Sequence, residues 1–207
     1  MTKKTIAAIV VTACYLFTNL VSGEAAGGPI DTYNEWDDSL KAYTKQVCEE
    51  YDVDYSLALA VIYNESRFQS GLTHKNTNGT TDYGLMQVNE VNYEYLHKTV
   101  GINSMRDLLN DKTGIRCGVE LLAYHKDFTG EDSSALLRYQ VGAGKYKKYR
   151  ENGRYTNKTH SQVWQYKEIY SEYLTEQDQQ NSESEQTTPI QWDRFETILN
   201  RWVEFPL

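Results

Sequence analysis

Cysteine is scarce in this chain, with 3 among 207 residues. Cys14 lies in an apolar N-terminal stretch, which leaves Cys48 and Cys117 for a folded domain. A scaffold held together by several disulfides is therefore excluded. The two remaining cysteines form either one disulfide or two buried thiols, and the sequence leaves both readings open. The fold must rely on apolar packing, to which the 17 tyrosines contribute.

Basic residues are in the minority, since 21 Lys and Arg face 29 Asp and Glu and the formal net charge is -8. No stripe of basic residues indicates binding to nucleic acid. The 4 histidines are scattered without metal-ligand spacing, and neither a phosphate-binding loop nor a nucleophile motif is present. The sequence therefore predicts no metal, no cofactor and no nucleic-acid partner.

The two ends of the chain differ in composition from the middle. Residues 1–26 begin with lysines, continue with an apolar run and end in small residues, which is typical of an export signal; an uncleaved membrane anchor through residues 5–22 is the alternative. Residues 176–188 are polar and acidic, which predicts a linker. Residues 189–207 carry apolar side chains near one helical face and either fold back or dock on a partner. One domain is expected over residues 27–175.

A strongly apolar segment leads to the first candidate catalytic residue. Asp54 has the side chain of an N-cap, and the run Tyr55–Tyr63 after it has apolar residues at helical spacing. This pattern predicts a largely buried helix, with Glu65 where the helix emerges. Partial desolvation would raise the pKa of Glu65, which suits a general acid at neutral pH. Taken alone, a glutamate at a helix end more often makes a cap or an ion pair.

A second carboxylate follows in turn-forming sequence. Asn78 and Gly79 are a strong hairpin signal between β-forming residues, which predicts a small antiparallel sheet of two or three strands. Asp82 is expected on the second strand. Two carboxylates in unlike surroundings, Glu65 and Asp82, are what acid-assisted cleavage of a glycosidic bond requires.

An uncharged run follows Asp82. Gly84 would allow close backbone approach by a ligand. Gln87 and Asn89 offer neutral donors and acceptors that suit sugar hydroxyl and N-acetyl groups. The run therefore adds polar groups for a carbohydrate to the two carboxylates.

The segment Glu65–Asn89, ESRFQSGLTHKNTNGTTDYGLMQVN, resembles the lysozyme superfamily. Its GLMQ element is similar to that of the soluble lytic transglycosylase (SLT) family, and its NGTTDYG element is similar to secretion- and conjugation-associated muramidases and to animal-type lysozymes. The resemblance implies that Glu65 is the catalytic acid and that Asp82 stands where animal-type lysozymes carry their second carboxylate. The cleft residues that it implies are Ser66, Gly84, Leu85, Met86 and Gln87.

Two later segments extend the resemblance over roughly residues 40–173. Residues 111–122 resemble a family helix written DPxxNIxxGxxYL, and residues 135–142, ALLRYQVG, resemble the family motif ALAAYNAG. Tyr139 falls on the tyrosine of that motif, which faces the acid, whereas Gln140 replaces the family asparagine. In the last helix Trp164 falls about where the family has a tyrosine, with Tyr166 as the other candidate. The resemblance thus implies substrate contacts from Tyr139, Gln140 and Trp164.

The resemblance also implies a fold and an activity. The expected fold is mainly α (α+β), a lysozyme-like helical bundle with a small antiparallel sheet at the cleft. The expected activity is that of an exported lytic transglycosylase of the cell wall or periplasm. It cleaves the β-1,4 bond between N-acetylmuramic acid and N-acetylglucosamine in peptidoglycan strands, with Glu65 as acid and base, and leaves 1,6-anhydromuramic ends.

Two alternatives remain open at this point. A lysozyme-type hydrolase would use Glu65 and Asp82 together. An inactive wall-binding scaffold of a secretion or conjugation apparatus would need no acid, and the intact Glu65 argues against it. The expected partners are peptidoglycan strands and, in these related systems, the secretion or conjugation machinery.

Overall fold

The computed structural model describes residues 27–187, and it confirms a mainly helical fold with one small antiparallel sheet. The helices are α1 (Pro29–Glu35), α2 (Asp38–Glu50), α3 (Tyr55–Ser66), α4 (Tyr93–Thr99), α5 (Asp111–Thr129), α6 (Asp132–Val141), α7 (Ala143–Glu151) and α8 (Lys158–Thr187). The strands are β1 (Thr73–Lys75), β2 (Thr81–Tyr83) and β3 (Val88–Asn89), and short 3₁₀ helices cover Glu90–Asn92 and Met105–Leu109. The described residues divide into two compact units, 27–171 and 172–187.

Helix α3 is the buried helix that the sequence predicts. The Asp54 carboxylate caps it by accepting hydrogen bonds from the backbone N–H groups of Ser56 and Leu57, at 2.8 and 3.3 Å. Every residue from Ser56 to Tyr63 is buried. The helix ends where Arg67 adopts a left-handed conformation with φ of 54°. Glu65 therefore lies on the last turn of a helix that is enclosed by the core.

The predicted sheet forms with strand order β1-β2-β3, both pairs antiparallel. Gly79 takes a φ of 90° in the turn between β1 and β2, a conformation that glycine adopts without steric cost. Asp82 lies on β2, as expected, between His74 on one side and Asn89 on the other. The sheet therefore carries the second carboxylate toward the end of α3.

The two cysteines that the sequence left open are free and buried. Cys48 on α2 and Cys117 on α5 are almost fully shielded from solvent, and burial raises the pKa of each thiol to about 12.

Aromatic packing stabilises the domain: Phe68 contacts Trp36 with ring centroids 4.7 Å apart, and Tyr63 contacts Tyr166 at 4.8 Å.

One helical segment differs from what the sequence suggests. The polar run predicted as a linker continues α8 as far as Thr187. Its Glu and Gln residues are good helix formers, and neither Gly nor Pro interrupts the run before Pro189. The division into domain and linker stays a prediction.

Within residues 27–187, no helix has the length and apolarity to cross a membrane. The predicted export signal or anchor and the amphipathic segment of residues 189–207 lie outside the described residues.

Candidate active site

A cleft of about 600 Å³ brings both predicted carboxylates together. One wall comes from the end of α3 and from the sheet, and the other comes from α5, α6 and the start of α7. The lining residues that carry the argument are Glu65, Asp82, Gln87, Arg138, Tyr139 and Gln140. A second depression, of about 520 Å³, lies next to Tyr43 and Arg116, and its arginine is already ion-paired with Glu50 at 2.7 Å. The cleft with the two carboxylates is therefore the candidate active site.

Glu65 has the protonation behaviour of a general acid. Burial at the end of α3 raises the pKa of its carboxyl group to about 7, and the negative charge of Asp82 acts in the same direction. A hydrogen bond from the Asn64 side-chain amide to Oε1 of Glu65, 3.1 Å long, partly opposes this shift. At neutral pH Glu65 can therefore both give and take a proton.

Asp82 is held in a different environment. Its two carboxylate oxygens accept hydrogen bonds from the side-chain amides of Asn76, at 2.8 Å, and Asn89, at 2.6 Å. Asn89 also donates to the Thr80 hydroxyl at 2.8 Å. This network fixes the carboxylate on β2 and occupies both of its oxygens with neutral donors.

The first three residues of the GLMQ element, Gly84, Leu85 and Met86, lie behind the cleft wall and do not line it. Leu85 and Met86 are fully buried, so the expectation that they line the cleft is wrong. Gly84 has a φ of 74°, and a Cβ atom there would lie 2.2 Å from the Leu108 carbonyl oxygen. The missing side chain of Gly84 therefore makes room for the Leu108 backbone, whereas the sequence predicted that it would make room for a ligand.

Gln87 is the one member of this element that lines the cleft. Its φ of 44° is left-handed, and its side-chain amide donates to the Gly84 carbonyl at 2.7 Å. That hydrogen bond closes a tight turn between β2 and β3. Gln87 therefore shapes the cleft floor in addition to facing it.

Tyr139 and Gln140 on α6 reach the opposite wall, as expected. The Tyr139 hydroxyl donates to the Met86 carbonyl at 2.7 Å, which ties α6 to the GLMQ turn. Burial raises the pKa of Tyr139 well above its ordinary value, with the charge of Glu65 as the next cause.

Both polar atoms of the Gln140 amide are buried without a hydrogen-bond partner in the described part of the chain. An amide in that state favours a ligand that supplies a donor and an acceptor.

Besides Gly84, Leu85 and Met86, two further predicted site residues are not among those that line the cleft. Ser66 is buried, and its hydroxyl donates to the Ile62 carbonyl at 3.0 Å. Successive residues of a helix point about 100° apart, so Ser66 enters the core when Glu65 faces the cleft. Trp164 stacks on His160 with ring centroids 6.0 Å apart, and the alternative residue, Tyr166, packs on Tyr63. Neither aromatic residue of α8 lines the cleft.

Sequence reasoning missed several residues of the cleft wall. Tyr124 and His125 come from α5, three and four residues after Leu121, and this helical spacing was the available signal. Arg138 comes from α6, directly before Tyr139, and no spacing signal pointed to it. Among residues 27–187, no group of three or more His, Cys, Asp or Glu side chains could hold a metal ion.

Comparison with known proteins agrees with this geometry. A sequence model of the Transglycosylase SLT domain matches residues 42–162, which include all the cleft residues named above. Protein IpgF of Shigella flexneri is 27% identical over 100 residues, a region that covers 48% of this chain and 65% of IpgF.

Among solved structures, an inactive mutant of the lytic transglycosylase Slt from Pseudomonas aeruginosa superimposes with a TM-score of 0.55 at 21% sequence identity. The match covers 65% of this chain and 24% of Slt, so the chain spans about a quarter of that larger protein and shares its fold over that part. Because the family match extends over more than half of the 207 residues, the chain belongs to the Transglycosylase SLT domain family.

Proposed function

We propose that the protein is an exported peptidoglycan lytic transglycosylase, with Glu65 as its general acid and base. The observation that carries this proposal is the carboxyl group of Glu65, whose pKa is raised to about 7 by burial in the wall of a polar cleft. The family match supports the substrate class, since the family is one of transglycosylases. Peptidoglycan lies outside the cell membrane, which agrees with the export signal predicted from residues 1–26.

The reaction needs one proton carrier. Protonated Glu65 donates its proton to the glycosidic oxygen as the bond from C1 of the muramic acid to that oxygen breaks. The N-acetyl group of the substrate stabilises the cation at C1. The Glu65 carboxylate then removes the proton of the 6-hydroxyl group, and this oxygen bonds to C1. No water is consumed, and Glu65 ends in its starting state.

The family match, rather than the environment of Asp82, favours this route over lysozyme-type hydrolysis. Each Asp82 oxygen accepts one amide hydrogen bond, from Asn76 or from Asn89, and keeps a second lone pair. A polar, hydrogen-bonded second carboxylate is also a feature of lysozyme-type sites. On the transglycosylase route, Asp82 is proposed to organise the sheet side of the cleft and to raise the pKa of Glu65.

Mass spectrometry of digested wall tests the proposed chemistry. Purified peptidoglycan should yield fragments that end mainly in 1,6-anhydromuramic acid. Fragments with mainly free reducing ends would assign the hydrolase route instead. Absence of any turnover by folded protein would favour the third reading, a scaffold that binds the wall.

The substitution Asp82→Asn distinguishes the two roles of Asp82. Asparagine replaces one carboxylate oxygen with an NH₂ group. This donor would face the NH₂ group of Asn76 or Asn89, so one hydrogen bond of the network is lost. We expect transglycosylation to weaken by about 1–2 kcal/mol, the scale of a lost hydrogen bond. A lysozyme-type route would lose about 10² or more in rate, because the cation would lose its counter-charge. Steady-state rates on purified wall measure the difference.

The pH profile reports the protonation of Glu65. Because the acid must be protonated, kcat/KM should fall about tenfold for each pH unit above the Glu65 pKa of about 7. Removing the negative charge with Asp82→Asn should move this alkaline limb to lower pH, since the Asp82 charge raises that pKa. An alkaline limb at the same pH in both proteins would contradict the coupling between the two groups.

A further inference from the structure

A buried arginine stands in the cleft wall without a carboxylate partner. Arg138 lies on α6, one residue before Tyr139, and is 6% exposed. It lines the same cleft as Glu65 and Asp82. Buried arginines are rare unless an acidic group pairs with them. Of the ion pairs formed by residues 27–187, none includes Arg138.

The neighbours of Arg138 leave its charge uncompensated. One guanidinium nitrogen, Nη1, donates a hydrogen bond to Nδ1 of His125. A guanidinium has only donors, so Nδ1 must be the acceptor and His125 must be neutral. Burial and the nearby Arg138 charge lower the pKa of His125 to about 4, which agrees with that assignment.

Aromatic faces complete the surroundings of the guanidinium. Its central carbon lies 4.4 Å from the ring centroid of Phe128 and 5.2 Å from that of Tyr124. The Phe128 ring is 65% exposed and the Tyr124 ring, which lines the cleft, is 40% exposed, so both rings are accessible at the surface. They hold the planar group by cation–π contact and bring no negative charge. Of five N–H donors, the contact with His125 uses one.

We propose that Arg138 binds a carboxylate of the glycan substrate and so selects anionic strands over uncharged ones. This inference rests on the proposed function, since peptidoglycan carries such groups. A guanidinium matches the two oxygens of a carboxylate with two parallel hydrogen bonds. The free carboxylate is either the lactyl group of a muramic acid without peptide or an acidic group of the attached peptide. Both sources share the chemistry that Arg138 recognises.

A purely structural role would have different consequences. If Arg138 served only to hold Tyr124, Phe128 and His125 in place, its loss would weaken the binding of charged and neutral glycans equally. If it binds a carboxylate, its loss weakens the binding of charged glycans alone. The charge selectivity of binding therefore separates the two roles.

Binding of matched oligosaccharides to the Glu65→Gln protein tests the proposal, because this variant leaves the glycan intact. Three tetrasaccharides of alternating N-acetylglucosamine and N-acetylmuramic acid serve as probes. The first carries free lactyl carboxylates, the second has them converted to methyl amides, and the third carries peptides with free carboxylates. Calorimetric titration measures each dissociation constant. The Glu65→Gln protein, with Arg138 unchanged, should bind the first or the third probe at least about tenfold more tightly than the second, neutral probe.

The substitution Arg138→Met keeps an unbranched side chain and removes the charge. It should abolish most of that preference and leave a much smaller change on the neutral probe. Arg138→Lys should retain part of the preference, because the charge remains but the fork is lost. Arg150→Met is the matched control, since Arg150 also stacks on aromatic rings, those of Tyr146 and Tyr155, outside the cleft lining.

Each outcome decides between the inference and the proposed function. A preference for the free-lactyl probe or for the peptide probe identifies the source of the carboxylate. Equal binding of charged and neutral probes overturns the carboxylate site while the proposed function stands, and this result does not require the Arg138 variants to fold. Equal losses on all probes after Arg138→Met assign a structural role. Binding of no glycan at all, together with no cleavage of wall by the unsubstituted protein, rejects the proposed function as well.

Discussion

Replacing Glu65 with glutamine is expected to lower the rate of wall cleavage by about 10² or more, the usual scale for the loss of a general acid. Glutamine keeps the shape of the side chain and removes the proton that the leaving oxygen needs. The helix that positions it, α3, is fixed by its Asp54 cap and its buried face, so the fold should survive. Release of soluble fragments from purified peptidoglycan measures the effect.

The matched control is Glu49→Gln, the same chemical change at an exposed position of α2. This variant should cleave the wall at the rate of the unsubstituted protein. Wall cleavage near the normal rate by a folded Glu65→Gln protein would contradict the assignment of the acid.

The same substitution should alter how stability depends on pH. The pKa of Glu65 is about 7 in the folded protein against 4.5 for an ordinary glutamate. Between these two values the unfolded chain has released this proton and the folded protein still holds it, so rising pH favours the unfolded state. The loss across that window is on the order of 3 kcal/mol, and it is absent when residue 65 is glutamine.

Thermal unfolding at pH 4 and pH 8 measures this effect. From pH 4 to pH 8, the melting temperature of Glu65→Gln should rise relative to that of the unsubstituted protein, because only the unsubstituted protein loses the contribution of Glu65. An equal change with pH in both proteins would show that the Glu65 carboxyl is not desolvated in the folded state.

Replacing Gly84 with alanine is expected to destabilise the domain by about 3 kcal/mol or more. A Cβ atom at this position would lie 2.2 Å from the Leu108 carbonyl oxygen, and a backbone carbonyl cannot turn aside as a flexible side chain can. The φ of 74° adds the cost of a left-handed conformation, about 1 kcal/mol. The 3₁₀ helix Met105–Leu109 would have to move away from the sheet.

The control for Gly84→Ala is Gly101→Ala, which isolates the backbone term. Gly101 has a φ of 85°, and a Cβ atom there would meet nothing within 4 Å. Urea denaturation should show a loss of about 1 kcal/mol for this variant. Equal losses in the free energy of unfolding for the two variants would mean that the close contact with Leu108 contributes little to the destabilisation.

Glycines on α5 explain why the GLMQ turn can lie so close to that helix. The Leu108 carbonyl also approaches Gly114, where a Cβ atom would be 2.6 Å away. At Gly118 a Cβ atom would lie 2.2 Å from the Met86 sulfur. The family motifs around residues 84–87 and 111–122 therefore include residues that pack one segment against the other.

Local signals in the sequence determined the elements that carry the two carboxylates. The Asp54 cap and the apolar run define α3, the pair Asn78-Gly79 defines the hairpin, and the family motif includes Glu65, the proposed acid. Each depends on interactions within a few residues, which sequence patterns record directly. The resemblance to the lysozyme superfamily implied the mainly helical fold around the small sheet.

The tertiary structure alone decided which side chains enter the cleft. Linear alignment placed Ser66, Met86 and Trp164 in the site, but helix geometry and core packing direct them elsewhere. Gln140 and Arg138 acquire their significance only when α6 packs opposite α3 and the sheet. Burial, uncompensated charge and a raised pKa arise from contacts between distant segments, and residue identity at a single position does not encode them.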